Sequence, residues 1–295
     1  MTDQTRNTFS RRTFMGATAA AAASFAVPKL ALGADNPNSV IGGVPIGVIT
    51  YSYRSMPGSA EDLLKYLLSA GLSEVELMGG PAEKFANAYN KKNGSKDPMD
   101  GFKALRKLYN DAGVNIHIVK FGNIGQKKVS DEKTDYYFNV AKALGAKGIT
   151  RELDNNSANR LGPIADKHKI WIAFHNHTQL TPTTYDGEIL SHGKYLGINF
   201  DVGHYVAKPG ACPIKFIDKH RERIVSLHLK DRQKNNGPNK VWGEGDTPIS
   251  EILKFMKKEK LTFPGDIELE YKIPQGSNAV KEVAKCFEFC KKALA

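Results

Sequence analysis

Cysteine is scarce in this chain of 295 residues. There are three, an odd number, and Cys286 and Cys290 stand one helical turn apart, a poor geometry for a disulfide. A disulfide-stapled scaffold is therefore excluded, and Cys212, Cys286 and Cys290 are read as structural thiols. Long apolar runs are also missing. The most continuous one, from Ala17 to Val27, falls well short of the roughly twenty residues that a membrane span needs, which excludes stable insertion. Acidic residues are in deficit, with 31 Asp and Glu against 42 Lys and Arg and a formal net charge of +11. That balance permits anionic substrates or nucleic acid, but it more often reflects a lysine-studded helical exterior, and no nucleic-acid partner is inferred. Finally, no glycine-rich phosphate fingerprint follows the first strand-like segment, which argues against a dinucleotide-binding open sheet.

What is present begins with a targeting segment. Ser10-Arg11-Arg12-Thr13-Phe14 precedes the alanine-rich run, and Leu32-Gly33-Ala34 supplies small residues behind it. This reads as a twin-arginine signal over residues 1–34, cleaved near Ala34, and predicts a periplasmic or otherwise exported protein. Arg6, Arg11, Arg12 and Lys29 against Asp3 leave with the signal, so the mature chain, residues 35–295, carries +8. Its length suits a single (β/α)8 TIM barrel, an α/β fold. Short apolar runs alternate with amphipathic stretches of helical period, predicting strands near 45–51, 73–78, 114–120, 147–152, 170–176, 196–201, 223–229 and 265–271. Gly71, Gly113 and Gly145 are expected to end helices just before the next strand. Residues 81–100 and 230–247 read as long connections after strands two and seven, on the face where barrel enzymes bind substrate.

Four of these strands end on metal-seeking side chains: Glu152, Asp201, His228 and Glu268. Three carboxylates and a histidine form a hard, mostly oxygen donor set that suits Mn2+, Mg2+ or Zn2+. Strands four and eight face each other across an eight-stranded barrel, with six and seven between them, so the four side chains can converge above the mouth. Glu270 shares a strand face with Glu268 and is the alternative donor.

At these strand ends the mature chain resembles, over nearly its whole length, the xylose isomerase-like barrel superfamily of sugar isomerases and epimerases, inosose dehydratase and the endonuclease IV group. The resemblance is carried by Arg151-Glu152-Leu153-Asp154, His175-Asn176-His177, Asp201-Val202-Gly203-His204, His228-Leu229-Lys230-Asp231, Gly243-Glu244-Gly245 and Ile267-Glu268-Leu269-Glu270. It implies one divalent metal ion held by Glu152, Asp201, His228 and Glu268. It also implies proton transfer next to a carbonyl through an enediolate, with Glu152 and Glu268 as the acid–base pair. His177, His204 and Lys230 are expected to assist catalysis. His175, Asp231, Trp242 and Glu270 are expected to contact a small carbohydrate, Trp242 by stacking. Members of this family commonly pair, which allows for a homodimer.

The expected activity is isomerase or epimerase. The alternative on the same metal site is a 3-keto-glycoside lyase or hydratase, or an elimination like that of inosose dehydratase. A phosphodiester-cleaving endonuclease is disfavoured, because residues 237–242 hold neither Asp nor His and the second strand ends without a histidine. A noncatalytic sugar-binding barrel is disfavoured too, because clustered carboxylates repel one another without a metal.

Overall fold

The structure, a computed structural model, describes residues 36–208 and 212–295. The twin-arginine segment lies outside the described residues. Eight strands form the barrel: β1 (Val44–Ile49), β2 (Glu74–Met78), β3 (Asn115–Lys120), β4 (Gly148–Glu152), β5 (Trp171–His175), β6 (Leu196–Asp201), β7 (Ile224–Leu229) and β8 (Gly265–Ile267). Each pairs in parallel with the next, and β8 pairs in parallel with β1, which closes the sheet. Closure leaves no free strand edge. The eight lie within a few residues of the predicted runs, except that β8 stops at Ile267 rather than 271. Beyond it, the Leu269 amide donates to the Ser52 hydroxyl (2.9 Å) instead of to a strand.

Nine helices are described: α1 (Ala60–Ala70), α2 (Gly79–Asn93), α3 (Asp100–Asp111), α4 (Asp131–Leu144), α5 (Asn155–His168), α6 (Val202–Ala207), α7 (Pro213–His220), α8 (Ile249–Lys258) and α9 (Ala279–Leu294). Local chemistry sets several ends. Ser59, Ser130 and Asn278 accept from backbone amides in the first turns of α1, α4 and α9. Gly71, Gly113 and Gly145 take a φ of +75° where α1, α3 and α4 end, as expected. Cys286 and Cys290 are buried on α9, and burial pushes the Cys286 thiol up to about 12.

One expectation is corrected. Residues 81–100 are not an open connection, because α2 runs through most of them. The buried face of α2 is Gly79, Ala82 and Ala86, so small that it leaves almost no apolar periodicity in the sequence. Small residues are needed because α3 lies very close: a Cβ on Gly101 would sit 2.4 Å from the Ala86 carbonyl oxygen.

Two substitutions test this packing by thermal unfolding. Gly101→Val is expected to destabilise the barrel by about 1–3 kcal/mol, because it overpacks the contact between α2 and α3. Gly80→Ala adds a methyl group with nothing within 4 Å and is expected to stabilise by about 0.5–1 kcal/mol through helix propensity.

Candidate metal centre and active site

The barrel's strand directions place the ends of β4 to β8 at one mouth. Donor atoms of His175, Asp201, His228 and Glu268 lie there within 4.8 Å of one another, all four side chains buried. The expected donors Asp201, His228 and Glu268 are thus brought together. Glu152 is not among them. Its neighbour in register on β5, His175, takes part instead. Glu152 is drawn to Lys120 on β3 (Oε1 to Nζ, 3.0 Å) and to His177 (Oε2 to Nε2, 3.6 Å), and its side chain remains 38% exposed. The buried group that could hold an ion thus has two imidazoles and two carboxylates, where one imidazole and three carboxylates were expected.

Both imidazoles are anchored from below. The Asn199 amide nitrogen donates to Glu76 Oε2 (3.0 Å) and to Ser226 Oγ (2.7 Å), so its oxygen must face His175 Nδ1, 2.8 Å away. That places the proton of His175 on Nδ1 and turns Nε2 towards Asp201 Oδ2, 3.9 Å off. His228 Nε2 donates to Glu76 Oε2 (2.9 Å), which leaves Nδ1 without a hydrogen bond and 3.5 Å from Glu268 Oε2. Burial holds His175 well below the usual imidazole range. The same burial acts on His228, but the Glu76 and Glu268 carboxylates outweigh it and raise that ring well above the range.

Asp201 has two tasks. Its Oδ1 caps α6 by accepting from the His204 amide (2.7 Å), while Oδ2 faces the donor group. Burial pushes its carboxyl up to about 7. Oδ2 lies 2.8 Å from Lys230 Nζ but accepts no well-aligned hydrogen bond. The Lys230 ammonium also lies 2.9 Å from Glu268 Oε2 and 2.7 Å from Glu270 Oε2. Burial opposes its charge, but the three carboxylates prevail and hold it firmly protonated. Glu268 therefore belongs to the buried donor group, and Glu270 sits further out beside Asn239. His175, Asp201, His228 and Glu268 together offer two imidazole nitrogens and two carboxylates that could hold a divalent metal ion.

The remaining expected residues fall in different places. His177 stands at the rim, 54% exposed, its ring 4.8 Å from that of His204. His204 accepts from Arg232 at Nδ1 (2.5 Å), and burial beside Lys230 pushes its pKa down to about 2, so the ring is neutral. Asp231 is buried and spends both oxygens on backbone amides of its own loop, those of Gly243, Gly245 and Thr247. Trp242 is not open to the mouth. It is 8% exposed and packs edge-on against Phe289 of α9.

Sequence reasoning missed Glu76, His117, Lys120, Asn199 and Asp266. Below the donor group, His117 Nε2 meets Asp266 Oδ2 (2.9 Å), and Nδ1 lies 3.4 Å from Glu74. Burial disfavours the charged ring, but Asp266 and Glu74 together push its pKa up to about 10. Gly47 makes room for Asp266, since a Cβ there would fall 2.1 Å from Oδ1. The only signal available in the sequence was the presence of polar residues at inward positions of otherwise apolar strands.

Residues 150–293 match the family model of the xylose isomerase-like TIM barrel. The matched span, just under half of the chain, is similar to that family's barrel. The matched span holds all four donors. Solved structures agree on the fold. The probable 3-DHS dehydratase AsbF of Bacillus anthracis superposes with a TM-score of 0.65 at 16% identity, covering 83% of this chain and 98% of that one. D-psicose 3-epimerase, in the presence of D-fructose, superposes with a TM-score of 0.59 at 13% identity, covering 85% and 99%. At such identities the likeness shows the fold alone. Among curated proteins, an inosose dehydratase of Clostridium beijerinckii is 29% identical over 134 residues, 43% of this chain. The match spans 36% of the length of that relative. Among the described residues, no helix is long and apolar enough to cross a membrane.

The buried ion pair beneath the donors gives a pH-dependent prediction. His117→Leu leaves Asp266 without its partner and is expected to cost about 3–5 kcal/mol near pH 6. Folding raises the pKa of this ring from 6.5 to about 10, so its contribution is complete below 6.5 and is lost as pH rises through the folded value. The stability gap between wild type and variant should therefore narrow between about pH 7 and pH 10. A gap that stays constant over that range in thermal or urea unfolding would show that the ring is already neutral in the fold.

Proposed function

We propose that this chain is a divalent-metal-dependent carbohydrate isomerase or epimerase that removes a proton from the carbon next to a carbonyl. The observation that carries the reading is the pair of buried imidazoles, each anchored by one ring nitrogen and turned by the other towards Asp201 or Glu268. His175, Asp201, His228 and Glu268 would hold the ion, and two nitrogen donors beside two carboxylates favour Mn2+ or Zn2+ over Mg2+. When bound, such an ion supplies Lewis-acid polarisation of a carbonyl.

The rest of the chemistry belongs to side chains of the mouth. Glu152, outside the donor group and accessible, is the base, oriented by the Lys120 ammonium at 3.0 Å. His177, 3.6 Å from its other oxygen, can take up or return the proton. Glu268 and Glu270 stand on the opposite wall. Return of the proton from that wall gives an epimer, and return to the neighbouring carbon gives an aldose–ketose isomer. Lys230 and the neutral His204 line the space between and can bind substrate oxygens. The second reading, elimination or hydration, draws support from the dehydratases among the similar proteins. One feature of the mouth also favours it: His177 is placed as a further group able to protonate a leaving oxygen. Export by the twin-arginine route to the periplasm belongs to the same proposal, supported by Arg11 and Arg12 ahead of the alanine-rich run.

Metal content by mass spectrometry, followed by NMR with ketoses and 3-keto-glycosides in D2O, tests the reading. The expected result is about one ion per chain and deuterium appearing next to a carbonyl. His228→Ala and His175→Ala should lose the metal. Glu152→Gln should keep it while exchange slows by about 10²–10⁴-fold. A wild type that takes up no metal after reconstitution would overturn the proposal, and the product formed separates epimer from eliminated or hydrated sugar.

A further inference from the structure

TIM-barrel interiors are ordinarily filled by branched aliphatic side chains. Here a fully buried carboxylate, Glu76 of β2, reaches across the barrel to β6 and β7. A buried charge costs several kcal/mol unless it is paired and hydrogen-bonded, so its place calls for a physical account.

The bonding of Glu76 is concentrated on one atom. Oε2 accepts from His228 Nε2 at 2.9 Å and from Asn199 Nδ2 at 3.0 Å. Asn199 passes the constraint on, since its Oδ1 accepts from His175 Nδ1 at 2.8 Å. Ser226 Oγ, 2.7 Å from the Asn199 amide nitrogen, fixes which way the amide faces. One oxygen thus determines the ring orientation of His228 directly and of His175 through a single amide. In both rings the nitrogen left over points into the space shared with Asp201 and Glu268. Oε1 of Glu76 has no hydrogen-bond partner, and the Asp266 carboxylate lies close by.

We propose that Glu76 is a positioning residue that presents both imidazoles to the metal. The inference rests on the metal-site reading above and extends it to a residue on a strand that contributes no donor. A histidine ligand depends on the acceptor that holds its other nitrogen, and loss of such a partner lowers metal affinity by about 10–100-fold. Because a single oxygen does the accepting, a glutamine at this position can keep both bonds through its carbonyl oxygen, whereas an apolar residue of similar length keeps neither.

The test uses Co2+ as a spectroscopic probe of the full chain, with affinity from chelator competition and donor geometry from the visible absorption bands. Glu76→Met is expected to weaken Co2+ binding by about 10–100-fold and to change the spectrum. Glu76→Gln should recover most of the affinity together with the wild-type spectrum. Asn199→Ala, which spares the bond from His228 to Glu76, should give a smaller loss and a distinct spectrum. It carries the test through His175 alone if circular dichroism shows that Glu76→Met does not fold. If Glu76 served stability only, folded variants would melt at lower temperature yet bind Co2+ with wild-type affinity and spectrum, and that result would overturn the inference. A wild-type chain that binds no Co2+ would instead overturn the metal-site reading, and the inference with it.

Discussion

Three carboxylates meet one ammonium group at the mouth of this barrel, and the geometry of the site depends on that charge balance. Asp201 comes from the end of β6, Glu268 and Glu270 from the segment after β8, and Lys230 from the residue beyond β7. Like charges packed this closely without a cation would force one another to protonate or separate. The ammonium keeps them together and holds the strand ends at fixed separations. The same constraint keeps the two imidazole nitrogens and two carboxylates within reach of a single ion.

Beneath the mouth the barrel continues as layers of paired polar groups. His175 and His228 rest on Asn199 and Glu76, with Asp266, His117 and Glu74 beyond them. Replacing such a network by well-packed aliphatic residues is often neutral or stabilising, so its retention is not explained by stability. What it supplies is position. Each group has a partner that fixes its orientation, and the donors at the top inherit that order.

The similar proteins carry out different reactions on this fold. Dehydratase and epimerase barrels both superpose on the chain, so the fold alone does not choose between elimination and proton return. Under the proposed function that choice falls to the groups around the buried cluster: Glu152 with its Lys120 and His177 neighbours, Glu270, and the 231–247 loop that Asp231 ties to itself.

How far the sequence reaches can be traced residue by residue. It determined the alternation of strands and helices, the barrel, the helix-ending glycines and the strand-end positions of Asp201, His228 and Glu268, because periodicity and strand-end position are local properties. It did not reveal α2, whose buried face is too small to leave a pattern, nor the close approach of Gly101 that requires this. It favoured Glu152 over His175 because strand order cannot tell which of two adjacent side chains turns inward, and Lys120 draws Glu152 away. It suggested an exposed role for Trp242, which packing against α9 buries. Glu76, Asn199 and His117 are beyond its reach for the same reason: their partners lie more than twenty residues away in the chain and meet them only across the closed barrel, so tertiary structure alone decided their roles.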